Sequence, residues 1–251
     1  MDRRKKLAIL SCMYHGDWDS IAKALQQNQE IMDMDIKEAY ITIYDRQYPD
    51  CLRKLRFPPW VLFYQGDITL LEKPMMTIIG SRMMDTYAKQ LVEITVTNLR
   101  KRFVLVSGLA KGVDGYVHQI ALEAGHTIGV IGSGLDTTYP YENISLYKRM
   151  RKTDLLLSEY PKGTGVRKHH FPWRNRILAA LGQGLIVIEA RIQSGTMCTV
   201  NEAIAINKEI YVFPHPFMSE KGMGCNKLIA DGAQILYEMI QLDEIKPKKE
   251  D

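Results

Sequence analysis

Short apolar runs alternate with amphipathic stretches from about residue 76 onward, and this alternation restricts the fold more than any other feature of the chain. Each run is rich in β-branched or other apolar residues and stops at a glycine, serine, proline or acidic residue. Continuous apolar strands separated by helices indicate a parallel sheet that is covered on both faces. We therefore predict a doubly wound, Rossmann-like α/β fold with a mainly parallel sheet. The predicted strands are 76–79, 103–106, 127–131, 154–157, 185–188 and 210–213, and the predicted helices are 87–102, 115–124, 144–151, 174–181, 196–207 and 226–239.

The segments outside this alternation predict a small appendage and a tail. Residues 1–38 carry a helical pattern but are too few for a core of their own, so we interpret them as a short N-terminal helical appendage. The Rossmann-like domain is expected to span 39–242. Its first part, 39–75, is expected to hold strands at 40–44 and 60–64 and a loop that leads into the sheet. Residues 243–251 are interpreted as a charged, solvated tail.

The composition is that of a soluble protein with a mild excess of positive charge. The 251 residues are 46% hydrophobic and 25% charged, with a net charge of +4, which permits polyanion binding without requiring it. Four scattered cysteines without a CxxC pair favour a reduced compartment. The apolar stretch behind the charged start is too short for a signal peptide, and no run approaches the roughly 18 apolar residues of a membrane span. We expect a cytoplasmic protein with no membrane partner.

The segment KGTGVRKHHFPWRNR, residues 162–176, combines five cations with aromatic rings and contains no carboxylate. Such a composition is typical of single-stranded nucleic-acid binding, because cations hold phosphates while π-faces stack on unpaired bases. The segment follows the predicted strand 154–157, and ligands of open α/β sheets usually lie beyond the carboxyl ends of strands. Composition and position therefore indicate the same site, although core packing explains Trp173 equally well.

Glycine-containing turns after the predicted strands are candidate anion sites. Backbone N–H groups and the helix dipole attract anions where a strand is followed by a helix, and glycine lets phosphate approach closely. A single turn of this kind is most simply a packing requirement, whereas several at one sheet edge favour an anion site. The candidates are Gly80-Ser81-Arg82, the turn that begins Ser107-Gly108, the pair Gly132 and Gly134, and Ser194-Gly195-Thr196, which a helix cap explains equally well.

Motifs for catalysis and cofactor binding are incomplete in this sequence. Gly132 and Gly134 supply two glycines of a dinucleotide-binding GxGxxG but the third is missing, and no GxxxxGK[ST] occurs. Ser107 does not lie in the G-x-S-x-G context of many hydrolases. His169 and His170 are adjacent, so their side chains diverge instead of converging on a metal. We expect no cofactor, no metal and no catalytic residue.

The motifs taken in order resemble those of the DNA processing protein A (DprA/Smf) family. The similarity runs over about residues 40–240 through YPDCLRKL, IIGSR, SGLAKGVD, GSGLDTTYPYEN, FPWRNR and VIEARIQSGT. The resemblance implies a Rossmann-like domain that binds single-stranded DNA in a basic pocket without cutting it. It further implies that the protein protects incoming strands during natural transformation, loads the recombinase RecA onto them and works as a homodimer.

The resemblance also implies roles for individual residues. Arg82 matches the arginine that grips the DNA backbone, Lys168 matches a second cation, and Phe171 matches a ring that stacks on a base. Arg176 has the alternative role of holding the start of its helix to the sheet. The other motif positions implied to line the pocket are Gly80, Ser81, Ser107, Gly108, Arg174, Asn175 and Arg176.

This sequence departs from the family pattern in three places. Its amino-terminal region is shorter than the helical domain of many members, no winged-helix domain follows Met239, and Pro214-His215 replaces a common Pro-Gly. Contacts that depend on those two modules are not transferred to this chain.

Two other classes of function stay open. A nucleotide phosphoribohydrolase of the LOG type is partly imitated by Ser194-Gly195-Thr196 with Glu202, without the double glycine of that motif. A protein-binding adaptor would leave the cations unexplained. The DNA-binding interpretation requires Arg82 and Lys168 to lie on the same side of the molecule.

Overall fold

The computed structural model describes residues 2–248, and in it a nine-stranded sheet lies between two layers of helices. The strands are β1 (Ala39–Thr42), β2 (Val61–Gly66), β3 (Met75–Ile79), β4 (Val104–Ser107), β5 (Thr127–Ile131), β6 (Leu155–Ser158), β7 (Gly184–Val187), β8 (Glu209–Val212) and β9 (Gln234–Ile235). The helices are α1 (Arg3–Met13), α2 (Trp18–Gln26), α3 (Asp50–Arg53), α4 (Thr86–Leu99), α5 (Val113–Ala124), α6 (Ile144–Thr153), α7 (His170–Leu181), α8 (Gly195–Ala205), α9 (Met223–Ala230) and α10 (Met239–Glu244).

The strand order β1-β2-β6-β5-β4-β3-β7-β8-β9 confirms the predicted doubly wound sheet. The seven strands from β3 to β9 pair in parallel, whereas β2 pairs antiparallel with both β1 and β6. From β3 the chain adds β4, β5 and β6 on one side, and β7, β8 and β9 lie on the other. The order therefore reverses between β3 and β7, and such a switch point leaves a crevice beyond the carboxyl ends of the two strands.

Alternate side chains of the central strands belong to different halves of the core. Met76 and Ile78 pack with α4 and α5 on one face, whereas Met75 and Val104 pack with α7 on the other. Burial of both faces explains why these strands are continuous apolar runs in the sequence. None of the helices within 2–248 combines the length and the apolarity that a membrane crossing demands.

The amino-terminal helices pack on the antiparallel edge of the sheet. Asp2 and Asp17 cap α1 and α2 with their carboxylates. Leu10 of α1 and Ile21 of α2 are buried in one cluster with Phe63 of β2. These contacts give the short helices a core that they could not form alone. The division into an appendage, a domain and a tail stays a prediction.

One prediction about the carboxyl-terminal region is wrong. The predicted helix 226–239 is broken, because α9 ends at Ala230 and Gly232 adopts φ 100°, a left-handed conformation that ends helices. The short strand β9 and α10 follow it. In the segment predicted as a tail, Ile245 packs beside α4. Arg102, which follows α4, donates hydrogen bonds to the carbonyl oxygens of Asp243 and Ile245, both at 2.8 Å. Residues 249–251 of that tail lie outside the described residues.

Helix α7 begins four residues before its predicted start. The prediction placed the start at Arg174, after Pro172, whereas the helix begins at His170. Proline is tolerated in the first turn of a helix, because the N–H groups there have no partner within the helix. The first turn of α7 therefore includes Phe171 and Trp173.

Candidate nucleic-acid interface

A cleft of about 580 Å³ opens where the strand order reverses, beyond the carboxyl ends of β3 and β7. The loop after β3, the loop after β7, the start of α7 and the start of α8 form its walls. Among the predicted site residues, the structure brings together Gly80, Ser81, Arg82, Lys168, Phe171, Arg174, Asn175, Ser194, Gly195 and Thr196.

Arg82 and Lys168 line this cleft together, so they lie on the same side of the molecule. Both side chains are exposed, and neither forms an ion pair with any residue between 2 and 248. The Arg82 guanidinium lies 5.7 Å from the centre of the half-buried Phe171 ring, and the centre of the Tyr139 ring also lies 5.7 Å from it. The cleft therefore offers two free cations next to an aromatic face.

The loop that carries Arg82 is held by the starts of two helices. The backbone N–H of Val113, the first residue of α5, donates to the Ser81 carbonyl oxygen at 3.0 Å. The hydroxyl of Thr196 in α8 donates to the Gly80 carbonyl oxygen at 3.0 Å. Gly112 adopts φ 72°, and a Cβ atom there would lie 2.3 Å from the Ser81 oxygen. The glycine is thus required for the close approach of this loop to α5.

Arg174 forms the floor of the cleft and is itself 5% exposed. Its Nη1 donates to the carbonyl oxygens of Gly108, at 2.9 Å, and of Val130. A Cβ atom on Gly108 would lie 2.7 Å from both this nitrogen and a carboxylate oxygen of Asp114. Burial raises the pKa of the Asp114 carboxyl, and Arg174 opposes that shift. Arg174 therefore joins α7 to the ends of β4 and β5.

Arg176 was predicted to contact DNA, but the structure does not bring it into the cleft. Its side chain is 5% exposed and forms two hydrogen bonds, of 2.9 and 2.7 Å, with the equally buried Glu159 carboxylate. It also donates to the carbonyl oxygens of Phe57 and Trp173. These contacts correspond to the alternative role, in which Arg176 holds the start of α7 to the rest of the fold.

Three other predicted residues also lie away from the cleft surface. The Ser107 side chain is fully buried, and its hydroxyl donates to the Ile78 carbonyl oxygen at 2.7 Å. The Gly132 carbonyl oxygen is hydrogen-bonded to the His170 ring, and the Gly134 N–H donates to the Thr164 carbonyl oxygen at 2.8 Å. These polar groups already have internal partners, which weakens the interpretation of Gly132 and Gly134 as an anion turn. Gly108 does not line the main cleft, but it lines a small cavity of about 110 Å³ that shares Arg82, Phe171 and Arg174 with it.

Among the cleft residues that sequence reasoning missed, one cation and one ring matter most for binding. Arg191 follows β7 and adds a third exposed cation, and Tyr139 adds a second ring beside Phe171. Arg191 could have been found, because it lies beyond the carboxyl end of a predicted strand. Tyr139 lies in the motif GSGLDTTYPYEN after the predicted strand 127–131, but only the tertiary fold brings its ring beside Phe171.

The described residues contain no group of three or more histidine, cysteine, aspartate or glutamate side chains that could hold a metal ion. The cleft surface is instead cationic and aromatic. Its chemistry is that of holding phosphates and flat rings.

Comparison with known proteins identifies the family. Residues 39–245 match the family described as DNA recombination-mediator protein A. The chain belongs to this family. A DNA processing protein DprA of Bacillus subtilis is 40% identical over 212 residues, which cover 83% of this chain and 71% of the relative. The corresponding protein of Streptococcus pneumoniae is 39% identical over 196 residues, covering 78% and 70%.

Solved structures of family members share this fold. The X-ray structure of DNA processing protein A from Streptococcus pneumoniae superposes with a TM-score of 0.83 at 31% identity and covers 96% of each chain. A Helicobacter pylori DprA structure superposes with a TM-score of 0.75 at 31% identity, covering 84% of this chain and 97% of that one. The Helicobacter pylori structure gives insights into the single-stranded DNA binding mode of that protein. The recombination-mediator family and the Rossmann-like fold are therefore both established for this chain, which is a DNA processing protein.

Proposed function

We propose that this recombination-mediator protein binds single-stranded DNA in the cleft between β3 and β7 and leaves the strand intact. The observation that carries the proposal is the convergence of Arg82 and Lys168, unpaired and exposed, beside the Phe171 ring. Cations next to a stacking face suit an unpaired strand, whose phosphates and bases are both accessible. Duplex DNA buries its base faces, so weaker binding of duplex is expected.

Within this proposal the cleft residues have distinct tasks. Arg82, Lys168 and Arg191 neutralise successive phosphates, and Phe171 stacks on a base, a contact worth about 1–3 kcal/mol. The backbone N–H groups at Ser194-Gly195-Thr196 add a weaker attraction for phosphate at the start of α8. Because these contacts are made to phosphates and ring faces, sequence preference should be weak.

Arg82→Ala and Lys168→Ala test the proposal directly. Each variant should bind oligo-dT more weakly and lower the slope of log K against log salt by about one unit, because one phosphate contact is lost. Lys101→Ala is a matched control. Lys101 is an exposed cation in the turn before β4, near the amino-terminal ends of the parallel strands, whereas the cleft lies at their carboxyl ends. Fluorescence anisotropy across a salt series measures both quantities. Unchanged affinity in both cleft variants would refute the assignment.

Protection of incoming DNA, loading of RecA and formation of a homodimer belong to the same proposal and rest on the family resemblance. A dimer would place two clefts along one strand and raise the apparent affinity through effective concentration. Light scattering that finds only monomer at micromolar concentration contradicts the dimer. RecA filament formation on oligo-dT coated with a single-strand binding protein, with and without this protein, tests the loading role.

An enzyme of the LOG type is the rival function. Such an enzyme would need the turn Ser194-Gly195-Thr196 and Glu202 in one site. Within 2–248 the turn lines the cleft, but Glu202 does not. Release of free base from AMP would support the enzyme. Retention of labelled oligo-dT without turnover supports the non-catalytic binding protein.

A further inference from the structure

A second cleft, of about 270 Å³, lies on the other side of the cationic segment 162–176. Its walls are the turn between α1 and α2, the loop after β6 and the first turn of α7. Trp18, Tyr160, Arg167, His169 and Trp173 are among the residues that line it. The side chains are those expected of a base-binding surface, although this cleft lies away from the switch point of the sheet.

Neighbouring residues of the segment alternate between the two clefts. Lys168 and Phe171 line the first cleft, whereas Arg167, His169 and Trp173 line the second. The side chains at 167–169 therefore form a ridge with an exposed cation on each side. A strand that crosses this ridge can place consecutive nucleotides on both sides.

The ring of Trp18 is held in place by the protein itself. It stacks on Trp60, with ring centres 5.2 Å apart and planes 24° apart, and it meets the Phe57 ring edge-on at 5.2 Å. Its indole N–H donates to the Pro58 carbonyl oxygen at 2.8 Å. A ring fixed in this way loses little freedom when a base binds to it.

The ring of Trp173 is also held in place by neighbouring side chains. The Arg176 guanidinium lies 4.2 Å from its ring centre, and the buried carboxylate of Glu159 holds that guanidinium. The Phe57 ring lies 5.6 Å away. Arg176 therefore supports the wall of the second cleft instead of contacting phosphate.

The charges around the cleft favour a base over a phosphate. Arg167 is exposed at one side, while Asp17 and Asp19 lie on the α2 side. The Asp17 carboxylate is occupied as a cap, accepting from the Ser20 N–H at 2.9 Å. Two carboxylates repel a phosphate from the interior, so a strand would keep its phosphates on the 167–169 ridge and insert a base between the rings.

We propose that the second cleft is a base-binding subsite for the same single strand that occupies the first cleft. This inference rests on the proposed function. Short oligonucleotides fill the first cleft alone, and longer ones cross the ridge and stack a base against Trp18 or Trp173. The cation–aromatic segment is thus one element with two binding surfaces.

The tryptophans provide a local reporter of this subsite. The chain contains three, and Trp18, Trp60 and Trp173 all belong to the ring cluster around the second cleft. Base stacking quenches indole fluorescence, and none of these three rings lines the first cleft. We expect oligo-dT of about 12 nucleotides to quench intrinsic fluorescence on binding, and oligo-dT of about 4 nucleotides to bind without quenching.

The double variant Arg167→Ala/His169→Ala tests the ridge without disturbing the core, because both side chains are exposed. Its affinity for the longer oligonucleotide should fall about tenfold and the quenching should be lost, while its affinity for the shorter one stays at the level of Lys101→Ala. Binding of the longer oligonucleotide without quenching, or equal affinities of the double variant and Lys101→Ala, overturns the subsite and leaves the first cleft standing. Absence of any binding by the unaltered protein overturns both proposals.

Discussion

Replacement of Arg176 should destabilise the fold without lowering the affinity of the first cleft for oligo-dT. The side chains of Arg176 and Glu159 are 5% and 4% exposed. The guanidinium also donates hydrogen bonds to the carbonyl oxygens of Phe57 and Trp173. Arg176→Met leaves the Glu159 carboxylate buried without its counter-charge, which typically costs about 3–5 kcal/mol. Since domains of this kind are stable by about 5–15 kcal/mol, the variant should lose a large fraction of its free energy of unfolding.

Urea unfolding followed by circular dichroism measures this loss, and two further variants calibrate it. Arg82→Ala removes an exposed arginine and should change the free energy of unfolding by less than about 0.5 kcal/mol. Glu159→Met combined with Arg176→Met removes both charges and should recover most of the stability lost in the single variant.

Two results would refute the reasoning about Arg176. One is a single variant that loses less than about 1 kcal/mol, which would mean that the buried pair is not coupled as the geometry indicates. The other is a fully folded Arg176→Met protein whose affinity for short oligo-dT falls as far as that of Arg82→Ala. That outcome would return Arg176 to the list of direct DNA contacts.

Three further predictions concern the cleft and the core. Gly112→Ala should lower stability by about 1–3 kcal/mol and weaken oligo-dT binding, because the new Cβ meets the backbone of the Arg82 loop at a left-handed φ. Gly195→Ala, whose Cβ would meet no atom within 4 Å, is the control for stability and should be near neutral in urea unfolding. Phe171→Leu should weaken oligo-dT binding by about 1–3 kcal/mol in an anisotropy titration, whereas Phe217→Leu, at a side chain 93% exposed outside the cleft, should not. Burial lowers the pKa of His118 from 6.5 to about 3, so the unfolded chain binds a proton that the folded protein excludes. Stability should therefore fall as the pH drops from about 6.5 towards 3, by up to about 1.4 kcal/mol per pH unit, and urea unfolding of His118→Gln across this range should show a shallower dependence; parallel profiles would contradict the assignment.

Local sequence pattern was sufficient to predict most of the secondary structure. Strands buried on both faces need uninterrupted apolar runs, so the alternation from residue 76 onward predicted β3 to β8 within one residue at each end. The helix break at Gly232 was missed, because a single glycine within a helical pattern does not reveal whether it adopts a left-handed φ. Leu242 and Ile245 pack in the core beside α4. The sequence did not predict this packing, because most of the last residues are charged.

The sequence predicted which types of side chain form the candidate site, but not the direction in which each of them points. Charge and aromaticity in segment 162–176 indicate single-stranded nucleic acid from composition alone, and the two cations selected by the family resemblance, Arg82 and Lys168, line one cleft. Which face of α7 each side chain occupies depended on packing, so Arg174 reaches the ends of β4 and β5 while Arg176 turns to Glu159.

The sequence by itself determined the elements, their burial and the kinds of chemistry available, because these follow from periodicity and side-chain type along a short stretch. The tertiary structure alone decided that the strand order reverses between β3 and β7 and that Tyr139 and Arg191 join the cleft. It also divided one cationic segment between two clefts. The physical reason is that strand order and helix orientation are set by contacts between residues distant in the chain, and these contacts decide which polar groups find internal partners and which stay free to bind a ligand.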